Sequence, residues 1–288
     1  KLLVPQILKE IDHDLENTVF SYIPNSAEAS FYGLMEGLEE YLTKWRKEQL
    51  LKGDVNEERL DKILRFKPRF EKLVSKDVKL RTFITNDNDR GEMVAQVYEM
   101  TQGVVRKGVD TIVVIDDSIV RGTTLEKSIL KLLDRLEPKK IVIVSSAPQI
   151  RYPDCYGIDM SKVKEFVAFR AMLSLLKEKG LEYMKEEVLE ETLRNFAQKK
   201  AHKQNFVKRL YDTFEYEEVS KKIAEILRPA KLNAELAIIY QTVENLNIAC
   251  PKNLGDWYFT GNYPTKGGNK VVNKAYINFM EGKEVRAY

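Results

Sequence analysis

The 288-residue chain sets 47 Lys and Arg against 44 Asp and Glu, for a net charge of +3, with 43% hydrophobic and 32% charged residues. That balance excludes a disordered chain and gives room for one large domain or two ordinary ones. It supplies no long-range pull toward nucleic acid or an anionic membrane. Cys155 and Cys250, the two cysteines, have neither metal-ligand nor disulfide-framework spacing, so free thiols in a reducing cytosol are expected. No run reaches the roughly 18 apolar residues of a membrane-spanning helix, and no signal-peptide pattern opens the chain, which points to a cytoplasmic protein. Lys1 rather than Met stands first, as expected of a fragment or processed product.

In chain order, Leu2, Leu3, Ile7, Leu8, Ile11 and Leu15 fit one face of a connecting helix. Residues 17–23 are β-branched and aromatic enough for a first strand; Pro24-Asn25 ends it, and Ser26 is placed to cap a helix. Phe31, Leu34, Leu38, Tyr41, Leu42 and Trp45 make that helix's core-facing stripe. Residues 49–78 are dominated by charge and read as a solvated excursion. A strand over 79–84 follows, then a polar turn over 86–90 opening a helix faced by Met93, Val94, Val97 and Tyr98. Ile112 to Ile115 read as a buried central strand. Leu125, Ile129, Leu132, Leu133 and Leu136 carry an amphipathic helix to Pro138, and residues 140–146 form another buried strand. This alternation predicts an α/β fold with a doubly wound parallel sheet, whose ligands bind beyond the strands' carboxyl ends. Residues 162–228, rich in Leu, Glu and Lys, predict a series of helices. The domains expected are a core over 1–160 and a helical extension with a C-terminal tail over 161–288, packed on the core. Gly267-Gly268 reads as a turn in that tail.

The most specific chemistry lies in Asp116-Asp117-Ser118-Ile119-Val120-Arg121-Gly122-Thr123-Thr124. Two carboxylates end the central strand. A cation, a glycine and two hydroxyls then meet the first turn of a helix, where free N–H groups and the dipole favour an anion. Carboxylates repel phosphate, so Asp116 and Asp117 must serve ligand hydroxyls or a divalent cation. A sugar phosphate satisfies both halves.

This stretch resembles the 5-phosphoribosyl-1-pyrophosphate (PRPP) loop of type I phosphoribosyltransferases, in the version found in amidophosphoribosyltransferase. A second motif, Ser145-Ser146-Ala147-Pro148-Gln149-Ile150-Arg151-Tyr152-Pro153-Asp154-Cys155-Tyr156-Gly157-Ile158-Asp159, is similar to that enzyme's segment after the next strand. Phe259-Thr260-Gly261-Asn262-Tyr263-Pro264 resembles its short C-terminal motif, so the resemblance runs, with gaps, from about Thr18 to Pro264.

The resemblance implies a type I phosphoribosyltransferase fold without the family's N-terminal glutaminase domain. It implies pentosyl transfer: displacement of pyrophosphate from PRPP by ammonia, taken from glutamine in the full enzyme, to give 5-phosphoribosylamine in purine synthesis. Asp116 and Asp117 would be the catalytic pair and, with residues 118–124, would bind PRPP. Ser26, Asp116 and Asp117 would hold Mg²⁺, partly through ligand oxygens. The excursion at 49–78 occupies the place of the family's mobile loop, but its residues do not align. Arg81 and Arg90 are either pyrophosphate contacts or ordinary surface arginines. Some relatives bind an iron–sulfur cluster through four cysteines, one close to the second motif and two near the C-terminal one; here Asp154 fills the first position with Cys155 one place late, and Trp257 and Tyr258 precede Phe259, so no cluster is expected. Purine nucleotides as feedback ligands and a homo-oligomer are further implications; nucleic acid and membrane partners are not. Two readings compete: a nucleobase phosphoribosyltransferase, against which the 154–159 motif argues, and a non-catalytic PRPP-sensing regulator, which a DNA-binding module would favour. The lysine-rich cluster around His202 reads as a solvated helix face rather than a phosphate contact.

Overall fold

A computed structural model describes residues 1–53, 56–76, 98–154, 160–252 and 255–287. Two compact units divide the chain: one comprises Lys1–Asp117, Thr124–Ser146 and Pro229–Ile239, the other Ser118–Thr123, Ala147–Arg228 and Tyr240–Tyr288.

The first unit is built on a five-stranded sheet. Its strands are β1 (Thr18–Tyr22), β2 (Arg69–Phe70), β5 (Thr111–Asp116), β6 (Lys140–Ser145) and β7 (Glu235–Tyr240), in the order β2-β1-β5-β6-β7. β1 runs parallel to both β2 and β5, and β5 runs parallel to β6, with Tyr22 opposite Ile115 and Asp116 opposite Ser145. The expected parallel α/β sheet is therefore present. All five residues of β1 are buried, as are Ile112 to Ile115 in β5. A strand covered on both faces needs an unbroken apolar, β-branched run rather than alternation, which is why Ile112-Val113-Val114-Ile115 was readable. Helices α1 (Val4–Glu10) and α2 (Glu28–Leu51) place Ile7, Leu8, Phe31, Leu34, Leu38 and Leu42 in one core with Phe20, Val113, Val142 and Ile239.

Four expectations need correction. Residues 49–78 are no plain solvated excursion, for they contain α3 (Glu57–Arg65), the edge strand β2, and β3 (Val74–Lys76). Arg69 explains the placement of β2. Its guanidinium reaches the fully buried Asp110 at 2.7 Å, while Arg106 donates to Asp110 from both backbone and side chain. Burial alone would push the Asp110 carboxyl up; these hydrogen bonds outweigh it and hold it below its ordinary value. Tyr98 belongs to β4 (Tyr98–Met100), antiparallel to β3, and not to a helix. Ser26 does not cap α2, whose N-cap position is Ala27 with no side-chain hydrogen bond. Gly267-Gly268 lies in the first turn of a long helix, Lys266–Met280, because Thr265 caps it by accepting from the Gly268 N–H. Gly268 is forced by space, since a Cβ there would sit 2.3 Å from the Tyr263 ring. The strand expected at 79–84 and the turn and helix expected at 86–97 lie outside the described residues.

The second unit is helical through 162–228, as the composition implied. A 3₁₀ turn at Val163–Glu165 leads into α5 (Val167–Glu178), α6 (Tyr183–Ala197), the short α7 (Lys208–Tyr211) and α8 (Tyr216–Leu227), where α4 is Leu130–Asp134 of the first unit. α9 (Val243–Ala249), α10 (Trp257–Thr260) and α11 (Lys266–Met280) complete the chain. β7, in a segment expected to belong to the C-terminal extension, contributes instead to the first unit's sheet through the apolar run Leu236-Ala237-Ile238-Ile239. No described helix is long and apolar enough to cross a membrane.

Candidate functional site

In the sheet, β1 connects outward to β2 on one side, while β5 and β6 continue on the other. The order of strands therefore reverses between β1 and β5, the place where open parallel sheets leave a crevice at their carboxyl ends. The turn after β1 and the Asp116-Asp117 pair after β5 border that point. The Ile23 N–H donates to the Ile115 carbonyl at 2.9 Å, which extends the pairing past the end of β1 and brings the Pro24-Asn25-Ser26 turn beside the end of β5. Ser26 is exposed in that turn.

Asp116 is half-buried and Asp117 exposed. The Asp117 N–H donates to Asp116 Oδ1 at 2.9 Å, the Ser146 N–H donates to the Asp116 carbonyl at 2.9 Å, and Ser146 Oγ donates to the Asp117 carbonyl at 3.1 Å. The strand end is thus pinned from β6's own exit. Burial pushes the Asp116 carboxyl up to about 8, and the adjacent Asp117 carboxylate adds to the rise. A carboxyl held so far from its ordinary range, at a sheet's ligand-binding end, marks a functional candidate.

Ser118–Thr123 belong to the second unit and are fixed there by contacts the sequence did not announce. The Val120 carbonyl accepts from the Val167 N–H at 2.8 Å, and the Arg121 carbonyl accepts from Arg170 Nη2 at 2.8 Å. Gly122 has φ +74°, a left-handed conformation natural to glycine, and a Cβ there would lie 2.4 Å from Leu227 Cδ2. Ile119 is buried, whereas Thr123 and Thr124 are exposed at the start of the helical segment. That segment continues as a π-helical turn over Leu125–Ile129 before α4, a widening that frequently accompanies functional sites. The expected regular helix here is therefore corrected in its first turns, though Leu125, Ile129, Leu132, Leu133 and Leu136 are all buried as predicted. Arg121, expected to face phosphate, donates from Nε to Glu165 Oε2 at 2.9 Å and pairs with the same oxygen through Nη2. A ligand phosphate would have to share or replace Glu165. Arg81 and Arg90 lie outside the described residues.

The chain is similar to known proteins over part of its length. Amidophosphoribosyltransferase of Pasteurella multocida is 48% identical over 58 residues, 20% of this chain and 11% of the relative. The Escherichia coli K12 enzyme of the same name is 46% identical over 57 residues, and that of Staphylococcus epidermidis is 35% identical over 96 residues, 33% of this chain and 19% of the relative. The chain is similar to amidophosphoribosyltransferases. These matches span only about a tenth to a fifth of the length of those relatives. Among solved structures, a glutamine PRPP amidotransferase from Bacillus subtilis complexed with ADP and GMP aligns at 20% identity and a TM-score of 0.46, covering 86% of this chain and 38% of that one. The allosteric regulatory enzyme of purine biosynthesis aligns at a TM-score of 0.47, covering 91% of this chain and 40% of that one. No protein-family model matches.

The two other segments that resemble amidophosphoribosyltransferase meet in the second unit. The Tyr258 carbonyl accepts from the N–H groups of Arg151 and Tyr152, Tyr258 Oη donates to Asp154 at 3.2 Å, and Tyr263 Oη donates to the Pro153 carbonyl at 2.6 Å. Gly261, with φ +71°, fits where a Cβ would strike Asn205 and Tyr152. Gln149 is wholly buried and spends its amide on the Tyr216 carbonyl and Ser220 Oγ, while its Oε1 accepts from Arg151. The Arg151 guanidinium lies 5.0 Å from both the Tyr211 and Tyr216 ring centroids. Residues 155–159 of this motif are outside the described residues. Cys250 is a free, exposed cysteine.

The donors expected to hold Mg²⁺ are hard oxygens of the right type, and two adjacent carboxyls, one raised by burial, suit a cation as counter-charge. Among the described residues no group of three or more His, Cys, Asp or Glu could hold a metal by itself. Asp116, Asp117 and Ser26 therefore fit the magnesium mode in which one or two carboxylates share the ion with substrate oxygens.

Proposed function

We propose that this chain carries the phosphoribosyl-transfer half of an amidophosphoribosyltransferase: PRPP and ammonia give 5-phosphoribosylamine and pyrophosphate. The observation that supports it most is the placement of the acidic pair at the carboxyl end of β5, beside the reversal in strand order, with the left-handed Gly122 turn following in sequence. The likeness to amidophosphoribosyltransferases favours this acceptor over a nucleobase.

In this reading, Asp116 and Asp117 hold the ribose 2′- and 3′-hydroxyls. Both carboxylates accept from those hydroxyls. The backbone N–H groups around Gly122, with the hydroxyls of Thr123 and Thr124, hold the 5′-phosphate. Fixing the sugar at both ends leaves C1 presented to ammonia, and orientation of this kind replaces an encounter in solution. The ammonia lone pair forms the C1–N bond as the C1–O bond breaks, the electron pair leaves with pyrophosphate, and the nitrogen loses a proton. Mg²⁺ held by Ser26, Asp116 and Asp117 would neutralise charge gathering on the departing pyrophosphate.

Calorimetry of Mg·PRPP binding tests the assignment. Asp116→Asn and Asp117→Asn should each weaken it roughly tenfold or more, as loss of a charge-assisted contact implies. Unchanged affinity in both variants removes the pair from the site.

A further inference from the structure

In the second unit, one face of α5, the start of α6 and the end of α11 line an open cavity of about 420 Å³. Its lining is sorted by chemistry. Arg170, Lys177 and Lys185 supply three cations, and Leu173, Phe279 and Met280 supply an apolar wall. The one acidic side chain there, Glu182, is committed to Lys185 at 3.1 Å. Lys177 forms no ion pair among the described residues.

Arg170 is held in place by the bond from its Nη2 to the Arg121 carbonyl. The charges along the cavity say what it would take: three cations against one carboxylate call for an anion, and the apolar wall calls for a hydrocarbon or aromatic body behind it.

We propose that this cavity binds a small amphipathic anion, a phosphate or carboxylate attached to an apolar or aromatic group, with Arg170, Lys177 and Lys185 on the anionic end and Leu173, Phe279 and Met280 on the body. The site uses none of the residues given to PRPP, although Arg170 also bonds the Arg121 carbonyl, and it does not require that reading to hold.

Phenyl phosphate and phenylacetate serve as probes in calorimetry, with ribose 5-phosphate present in excess to occupy the Gly122 turn. At least one probe should bind, and whichever binds identifies phosphate or carboxylate as the anionic group. Lys177→Gln combined with Lys185→Gln should weaken that binding at least tenfold, while benzyl alcohol, with the same body and no charge, should not bind measurably. Both lysines are on the helix surfaces, so the double variant should melt with the parent; Lys177→Gln alone, expected to weaken binding about threefold or more, covers the case in which it does not. Thr123→Val, which alters the turn, should leave probe binding unchanged. Binding of neither probe, or equal affinity in parent and lysine variants, overturns the proposal. Failure of ribose 5-phosphate to bind would count against the PRPP assignment only, because the probes would still report on Lys177 and Lys185.

Discussion

Gly122→Ala offers a sharp test of how the phosphate-binding turn is held. Two costs add. An alanine at φ +74° costs about 1–2 kcal/mol relative to glycine. Its Cβ would lie 2.4, 2.7 and 3.1 Å from three carbons of Leu227, a residue with no exposure and so no room to retreat; overpacking of this kind costs about 1–3 kcal/mol. The chain should therefore lose about 2–5 kcal/mol or displace the turn, and ribose 5-phosphate should bind more weakly in either case. Urea unfolding followed by circular dichroism, with unchanged m-value, measures the loss. Leu227→Ala provides the internal control: alone it should cost about 2–5 kcal/mol through its cavity, but combined with Gly122→Ala it should remove the steric part, so that the double variant is more stable than the sum of the singles by about 1–3 kcal/mol. Additive losses, or a Gly122→Ala cost under about 1 kcal/mol, would show that Leu227 does not shape the turn.

Further expectations follow from single residues. Thr123→Val should weaken ribose 5-phosphate binding roughly 10- to 150-fold, the value of one hydrogen bond to a charged group; an effect below about twofold, by calorimetry, would place the phosphate elsewhere. Because Asp116 titrates near 8 in the fold against about 4 when unfolded, its contribution is full below pH ~4 and is lost as pH rises through about 8. Asp116→Asn should therefore flatten the stability profile across that window, by about 1–3 kcal/mol after allowing for the group's partial exposure to solvent. Asp110 has the opposite sign: its lowered carboxyl stabilises the fold above the ordinary aspartate range and ceases to do so as pH falls through its folded value. Asp110→Asn should cost about 1–3 kcal/mol at neutral pH and remove that acid dependence, since Arg69 and Arg106 are partly exposed and can recover some hydration.

What was legible in the sequence followed from local rules. Ile112-Val113-Val114-Ile115 declared a buried strand by composition alone, and the Asp-Asp to Thr-Thr stretch declared a strand-to-helix turn by residue type. The partners of that turn could not be read the same way. Glu165, Arg170 and Leu227 lie more than 40 residues downstream, and each looks ordinary in its own helix. Arg121 shows the cost: residue type predicted a phosphate ligand, while Glu165 was available to pair with it. β2 escaped because its two residues sit in a charged segment and owe their place to the Arg69–Asp110 contact across 41 positions. Gly267-Gly268 misled in the other direction, since a glycine pair signals a turn unless a cap such as Thr265 and a crowding ring such as Tyr263 make small residues the ones that fit. β7 did carry a signal, its Leu-Ala-Ile-Ile-Tyr run, hidden beside a long helical composition.

Pyrophosphate release is the most direct measure of the proposed chemistry. Purified chain is supplied with Mg²⁺, PRPP and an ammonium salt, and pyrophosphate is followed over time beside Asp117→Asn under the same conditions. Release should depend on the ammonium salt and increase as pH rises, because only unprotonated ammonia carries a free lone pair, and Asp117→Asn should reduce it at least tenfold. PRPP binding without ammonia-dependent pyrophosphate above the Asp117→Asn control would contradict a transferase and indicate a chain that senses PRPP instead.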